Sequence, residues 1–159
     1  MIILKPEDLR DQAGMERAFR GYFVEAARDF AGQFNTMLGA ELHECDYENS
    51  TVTLTFLPEY WMGNPMGILH GGVTASVLDM TMGLLCRYCS NGSMTPTISM
   101  DVQYLHAGPL DKRLYVKAEL TKRGMGICYA RGAIWAEGAE DRRIATSSGV
   151  YYVVRRKPE

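Results

Sequence analysis

The sequence predicts an α+β fold in which one apolar helix lies against a curled antiparallel sheet. Three observations carry this reading. Residues 71–86 hold a single charged side chain, Asp79, among small and apolar neighbours, the mark of a helix buried nearly all round. Four strand-like runs follow, at 97–106, 113–121, 127–136 and 144–154, and short strands in succession, joined by turns, make antiparallel sheets. The length of 159 residues and the 47% hydrophobic content suit one domain with a full core, or a domain plus a helical extension.

The elements can be read in order. Residues 6–9 open a short first helix. A clearer one is expected over 15–34, where Met15, Phe19, Tyr22, Phe23, Ala26, Ala27, Phe30 and Phe34 fall on one stripe. Arg17, Arg20, Glu25, Arg28 and Asp29 lie off that stripe, so the helix is amphipathic and covers something apolar. A strand is expected over 37–45, then a turn at Asp46-Tyr47-Glu48-Asn49-Ser50. Residues 51–56 alternate Thr51, Thr53 and Thr55 with Val52, Leu54 and Phe56, a half-buried strand. Residues 58–65 are irregular, rich in turn formers and aromatics. Ser90-Asn91-Gly92-Ser93 ends the apolar helix, and Gly108-Pro109, Lys122-Arg123-Gly124 and 137–141 punctuate the later strands. The chain divides into an N-terminal helical extension, 1–34, and a main domain, 35–159.

Bulk properties exclude several classes. A formal charge of −2 does not suit a nucleic-acid binder. Residues 1–35 hold five basic and six acidic side chains, a net of −1, against a DNA-binding head. No apolar run reaches the length of a membrane span. Met1-Ile2-Ile3-Leu4 is too short for a signal-peptide core and runs into Lys5-Pro6-Glu7-Asp8, so the expected location is cytoplasmic. Cys45, Cys86, Cys89 and Cys128 lack the density of a disulfide framework.

Asp79 is the first candidate for chemistry. A lone carboxylate on a buried helix loses hydration, at a cost of several kcal/mol unless it is paired or hydrogen-bonded. No Lys or Arg stands three or four residues away: those neighbours are Ala75, Ser76, Met82 and Gly83. The bland alternative is a carboxylate at a bend, or one bonded to a local hydroxyl such as that of Ser76. General-base or nucleophilic work needs a placed carboxylate of this kind. The helix start is the second candidate. His70-Gly71-Gly72 precedes the apolar run, so Gly71 or Gly72 supplies free N–H groups at the positive end of the dipole, as in an oxyanion hole. The pair also reads as no more than a tight turn. Third, Asn64 can donate to a substrate carbonyl or a leaving sulfur, and His70 can hold Asn64 in place or simply cap the helix. No nucleophile elbow and no helical His-Glu-x-x-His is present. Cys86-Arg87-Tyr88-Cys89 has metal or redox spacing, yet it lacks a second ligand pair and sits at the wrong helix end for a lowered thiol pKa; it reads as packing.

Together, Asn64, Gly67, His70-Gly71-Gly72 and Asp79, in the run N-P-M-G-I-L-H-G-G-V-T-A-S-V-L-D, resemble the signature of PaaI-like thioesterases in the hotdog superfamily. The likeness runs from about residue 35 to 154 and includes the strand that begins at Thr97. It implies a long central helix wrapped by a curled antiparallel sheet, subunits paired so that their sheets join, and often a dimer of dimers. It also implies Asp79 as nucleophile or general base, Gly71 N–H on the thioester carbonyl, and Asn64 with His70 at the carbonyl or departing thiol. Thr97 would position the water or Asp79, with Thr95 and Ser99 as close competitors. Lys122, Arg123 and Gly124 resemble the turn that contacts CoA in the family, with Arg131, Arg142 and Arg143 as alternatives. The acyl group is expected to meet Tyr60, Trp61 and Met62, or the face of the central helix, and Gly72 joins the substrate-binding set.

Spacing independently argues for a site between subunits. Gly71 and Asp79 are eight residues apart on one helix, roughly 12 Å along its axis at about 1.5 Å per residue. A reacting carbonyl must meet both within roughly 3 Å. One helix cannot arrange that; two antiparallel copies can, giving two symmetric sites. The expected reaction is hydrolysis of an acyl-CoA to free acid and CoA in a homodimer, with no metal, no cofactor beyond the CoA of the substrate, no nucleic acid and no membrane. The rivals are a hotdog enoyl-thioester hydratase or dehydratase, and an inactive acyl-CoA-binding sensor.

Overall fold

The alternating runs form a six-stranded antiparallel sheet, and the apolar helix lies across one face of it. A computed structural model describes residues 4–154. Met1, Ile2 and Ile3 of the opening segment, and residues 155–159 at the end of the main domain, lie outside the described residues. The helices are α1 (Gln12–Asp29), α2 (Phe34–Met37) and α3 (Gly71–Cys89), with 3-10 turns at Pro6–Leu9 and Tyr60–Met62. The strands are β1 (Glu41–Asp46), β2 (Thr51–Phe56), β3 (Thr97–Tyr104), β4 (Leu114–Arg123), β5 (Ile127–Ala136) and β6 (Ala145–Tyr152). Their order across the sheet is β1-β2-β4-β5-β6-β3, and the sheet is not closed. This is the hotdog arrangement, with a helical segment ahead of it.

The core forms where α3 meets the inner residues of the strands. Val77, Leu78, Met82, Leu85 and Cys86 from α3 are buried against Val52, Leu54, Phe56, Leu114, Val116, Ala130 and Ile134. Within each strand these residues are two or four apart, as one face of a pleated strand requires. β3, inserted in sequence after the helix, crosses to the far side and pairs with β6 alone. Its other edge has no strand beside it among the described residues.

Three expectations need correction. The helix expected over 15–34 starts earlier and ends at Asp29. Asp11 caps its start by accepting from Gly14 N–H at 2.7 Å, a side-chain signal independent of the apolar stripe. The chain then turns through Gly32 at φ +81°, and Phe34 and Ala27 are exposed rather than on the packed face. The strand expected from 37 begins at Glu41, because Phe34–Met37 forms a helical turn first. Finally, β2 is buried on both faces. Thr51, Thr53 and Thr55 stand opposite Glu119, Lys117 and Tyr115. Those long side chains cover the small hydroxyls. Thr53 donates to Glu44 at 3.2 Å and Thr55 to the Leu114 carbonyl at 3.0 Å, so these two buried hydroxyls are satisfied.

The N-terminal segment is tied down by polar contacts as well as by Met15 and Phe19. Gln12 brackets β1, donating to the Cys45 carbonyl at 2.8 Å and accepting from Tyr47 N–H at 2.9 Å. Tyr88 on α3 donates to the Asp8 carbonyl at 2.8 Å, with its ring 5.6 Å from that of Phe19. The segment therefore packs on β1 and the C-terminal part of α3. None of the described helices is long and apolar enough to cross a membrane.

Leu78 is fully buried on the sheet-facing side of α3. Leu78→Ala should lower the unfolding free energy by about 2–5 kcal/mol. Val24→Ala on the exposed side of α1 should stay within about 0.5 kcal/mol. Chemical denaturation of the two variants checks both.

Candidate active site

The middle of α3 carries the carboxylate. Asp79 is half-buried, and two hydroxyls from the sheet reach it. Thr97, the first residue of β3, donates to Oδ1 at 2.7 Å. Tyr151, near the end of β6, has its phenol 3.1 Å from the same Oδ1 and 3.2 Å from the Asp79 carbonyl. No described residue donates to Oδ2. The helix also disposes of the local alternative, since Ser76 Oγ donates to the Gly72 carbonyl at 2.7 Å. Thr95, a competitor for Thr97, instead donates to the Gly83 carbonyl at 2.9 Å. A carboxylate with one oxygen anchored and the other open is equipped to take a proton from water or to attack a carbon.

The start of α3 gathers the second group of residues. His70 is its N-cap, and Nδ1 accepts from Gly72 N–H at 2.9 Å. The Gly72 donor is therefore used, while Gly71 N–H meets no acceptor among the described residues. Of the two candidate glycines, Gly71 keeps the free donor at the positive end of the helix. With Nδ1 accepting, the neutral ring carries its proton on Nε2; this tautomer is assigned from the hydrogen bond. His70 thus caps the helix and does not hold Asn64. Asn64 is fixed by its own turn: Oδ1 accepts from Met66 N–H at 2.9 Å, which leaves the amide NH2 group to donate elsewhere. Tyr104 on β3 donates to the Gly71 carbonyl at 2.8 Å and pins the helix start to the edge strand. Asn64, Gly71, Thr74, Tyr104 and His106 line a cleft of about 340 Å³ here.

Comparison with known proteins identifies the family. Residues 66–141 match the thioesterase superfamily. The medium/long-chain acyl-CoA thioesterase YigI of Escherichia coli K12 is 32% identical over 136 residues, 76% of this chain and 84% of that protein. The chain belongs to the thioesterase superfamily. Acyl-coenzyme A thioesterase 13 of Mus musculus is 29% identical over 69 residues, 42% of this chain and 48% of that protein, so the match spans about half of that relative's length. The crystal structure of a zebra fish thioesterase superfamily member 2 has a TM-score of 0.76, covers 87% of this chain and 97% of that one, and is 22% identical, a likeness of fold.

Within this member of the superfamily, the candidate residues fall into three places. Asp79 and Thr97 meet at mid-helix, joined by Tyr151, which the sequence reading did not single out. Asn64, His70, Gly71 and Gly72 meet at the helix start, with Tyr60 and Trp61 exposed on the 3-10 turn that precedes it. Lys122, Arg123 and Gly124 lie at the β4–β5 hairpin. Cys128, opposite Arg123 in that hairpin, is 3.2 Å from Ser90, the C-cap of α3, so the hairpin belongs to the other end of the helix. Arg131 and Arg143 line a separate cleft of about 470 Å³ on the outer face of the sheet, with Asp101, Lys117 and Glu119. Arg131 is engaged by Glu119 at 2.8 Å, and Arg143 stacks over Trp135 at 4.4 Å.

Cys86 and Cys89 are packing groups. Burial raises the Cys86 thiol far above its ordinary value and pushes Cys89 up to about 11, so both stay protonated and weakly nucleophilic at neutral pH. Alkylation of the native protein with iodoacetamide at pH 7.5 should leave Cys86 and Cys89 unmodified, and unfolding should expose both, as peptide mass spectrometry would read.

Proposed function

We propose that the protein hydrolyses acyl-CoA thioesters, with Asp79 as the catalytic carboxylate and each active site formed by two subunits. The observation that carries this reading is the Asp79 carboxylate, with Oδ1 held by two hydroxyls and Oδ2 open, on a helix whose first turn keeps an unsatisfied N–H. The thioester carbonyl accepts from Gly71 N–H of one subunit. Asp79 of the partner subunit either deprotonates a water that attacks the carbonyl carbon or attacks it directly, leaving an anhydride for water to open. The negative charge that builds on oxygen sits at the positive end of α3. The C–S bond breaks, the CoA sulfur takes a proton, and the free acid leaves. His70 Nε2–H and the Asn64 amide are the donors available to the carbonyl and the departing sulfur.

Three features support the pairing of subunits. The free edge of β3 offers unpaired backbone groups to another strand, and exposed edges of this kind are normally covered. Ile98, Tyr104 and Leu105 on and beside that edge are 55%, 56% and 50% exposed. Gly72, Ser76, Asp79 and Gly83 form a stripe on α3 that the described residues leave half-buried or exposed. Antiparallel pairing along β3 would set two α3 helices side by side and bring each Gly71 toward the opposite Asp79.

For the acyl group we favour medium or long aliphatic chains, supported by the E. coli relative aligned over most of its length. The exposed rings of Tyr60 and Trp61 beside the helix start are suited to an apolar chain. Lys122 and Arg123, exposed at the hairpin, are suited to the CoA phosphates.

Asp79→Ala should lower turnover of acyl-CoAs by roughly 100-fold or more while leaving size and circular dichroism unchanged. Thiol release from chains of different length checks this and names the preferred acyl class. An intersubunit site also predicts complementation. Inactive Asp79→Ala and Asn64→Ala dimers, unfolded and refolded together, should recover about a quarter of wild-type activity, because half the dimers are mixed and each of those has one intact site. No recovery would place both groups in one subunit's site.

A further inference from the structure

The Asp79 anchor is built as well as occupied. Tyr151 is fully buried, yet its phenol reaches across from β6 to the side of α3. Two glycines make that reach possible. Gly149 is two residues before Tyr151 on the same strand face, and a Cβ there would lie 2.7 Å from the ring and 3.0 Å from the phenol oxygen. Gly83 is one helical turn after Asp79, and a Cβ there would lie 3.3 Å from the other side of the ring. The ring therefore lies in a slot between strand and helix, with its hydroxyl at the carboxylate. Thr97 stands directly opposite Tyr151 across the β3–β6 ladder, so one pair of neighbouring strands delivers both donors to the same oxygen.

We infer that Tyr151 is a positioning residue for the thioesterase reaction, which with Thr97 locks Asp79 so that Oδ2 alone faces the reacting carbonyl. The inference rests on the role proposed above for Asp79. Its physical basis is that a carboxylate free to rotate presents either oxygen and must be oriented anew in each turnover. Two donors on Oδ1 remove that freedom before substrate arrives. Burial, and next the negative charge of Asp79, raise the phenol's pKa well above its ordinary value, so it remains a donor throughout the neutral range. Tyr151 meets no substrate in this arrangement. It acts on kcat through Asp79 and leaves binding alone.

Tyr151→Phe keeps the ring in its slot and removes only the hydroxyl. Its kcat should fall roughly ten- to a hundred-fold, the range for a lost hydrogen bond to a charged group, with KM within about two-fold of wild type. Tyr151→Phe, Thr97→Val and the double variant form a cycle. Because both donors fix one oxygen, the double variant should lose less than the product of the two single losses. Thermal unfolding of each protein separates folding from chemistry. Wild-type kcat in a folded Tyr151→Phe overturns the role while leaving the thioesterase reading intact. Loss of kcat only in proportion to lost folded protein, or a rise in KM at constant kcat, also overturns it. A wild-type chain that releases thiol from no acyl-CoA overturns the thioesterase reading itself, and the role with it.

Discussion

A carboxylate half-buried on an apolar helix loses part of its hydration and gains by hydrogen bonds from the protein. Among the described residues, Asp79 meets this demand without a cation. Its donors are two neutral hydroxyls, Thr97 and Tyr151, that arrive from adjacent strands. The topology follows from where those strands must be. β3 leaves the end of α3, crosses to the far side of the sheet and, among the described residues, pairs only with β6, which sets Thr97 and Tyr151 beside each other at mid-helix. A neutral donor pair holds the charge in place without neutralising it, as a salt bridge would.

The helix start obeys a complementary constraint. The first turn of any helix leaves N–H groups without partners. In α3, His70 turns back to satisfy Gly72, and Gly71 keeps its donor. The anchored negative group and the free positive end therefore sit about 12 Å apart on one rigid rod. They are too far apart to act on one carbonyl, and rigid enough to act on two if a second rod runs the other way. The open β3 edge and the small residues along the Asp79 stripe are the surfaces that such pairing needs. The N-terminal segment, tied to β1 and to the C-terminal part of α3 by Gln12, Tyr47 and Tyr88, occupies other ground.

Much of this was legible in the sequence, for identifiable reasons. Asp79 stood out because a single charge in an apolar run has few explanations. The four later strands were found within a few residues because turn formers bound them. Thr97 emerged only through family resemblance, with Thr95 and Ser99 as rivals, because a hydroxyl on a strand carries no signal of where it points. Tyr151 was missed because an aromatic at an inward strand position reads as core, and its partner lies 72 residues away. The one local clue was Gly149, since a glycine inside a strand marks the close approach of another group. The ends of α1 were misjudged because the apolar stripe ran past the point where Gly32 reverses the chain, and the buried threonines of β2 because alternation does not reveal what the neighbouring strands lay over them.

If the proposed mechanism holds, two subunits build one site around a thioester carbonyl. A crystal structure with a non-hydrolysable acyl-CoA analogue tests it most directly. The carbonyl oxygen should lie within hydrogen-bonding distance of Gly71 N–H in one subunit, and the carbonyl carbon should face Oδ2 of Asp79 of the partner subunit. An analogue held by a single subunit, or lodged in the outer cleft between Arg131 and Arg143, would contradict it.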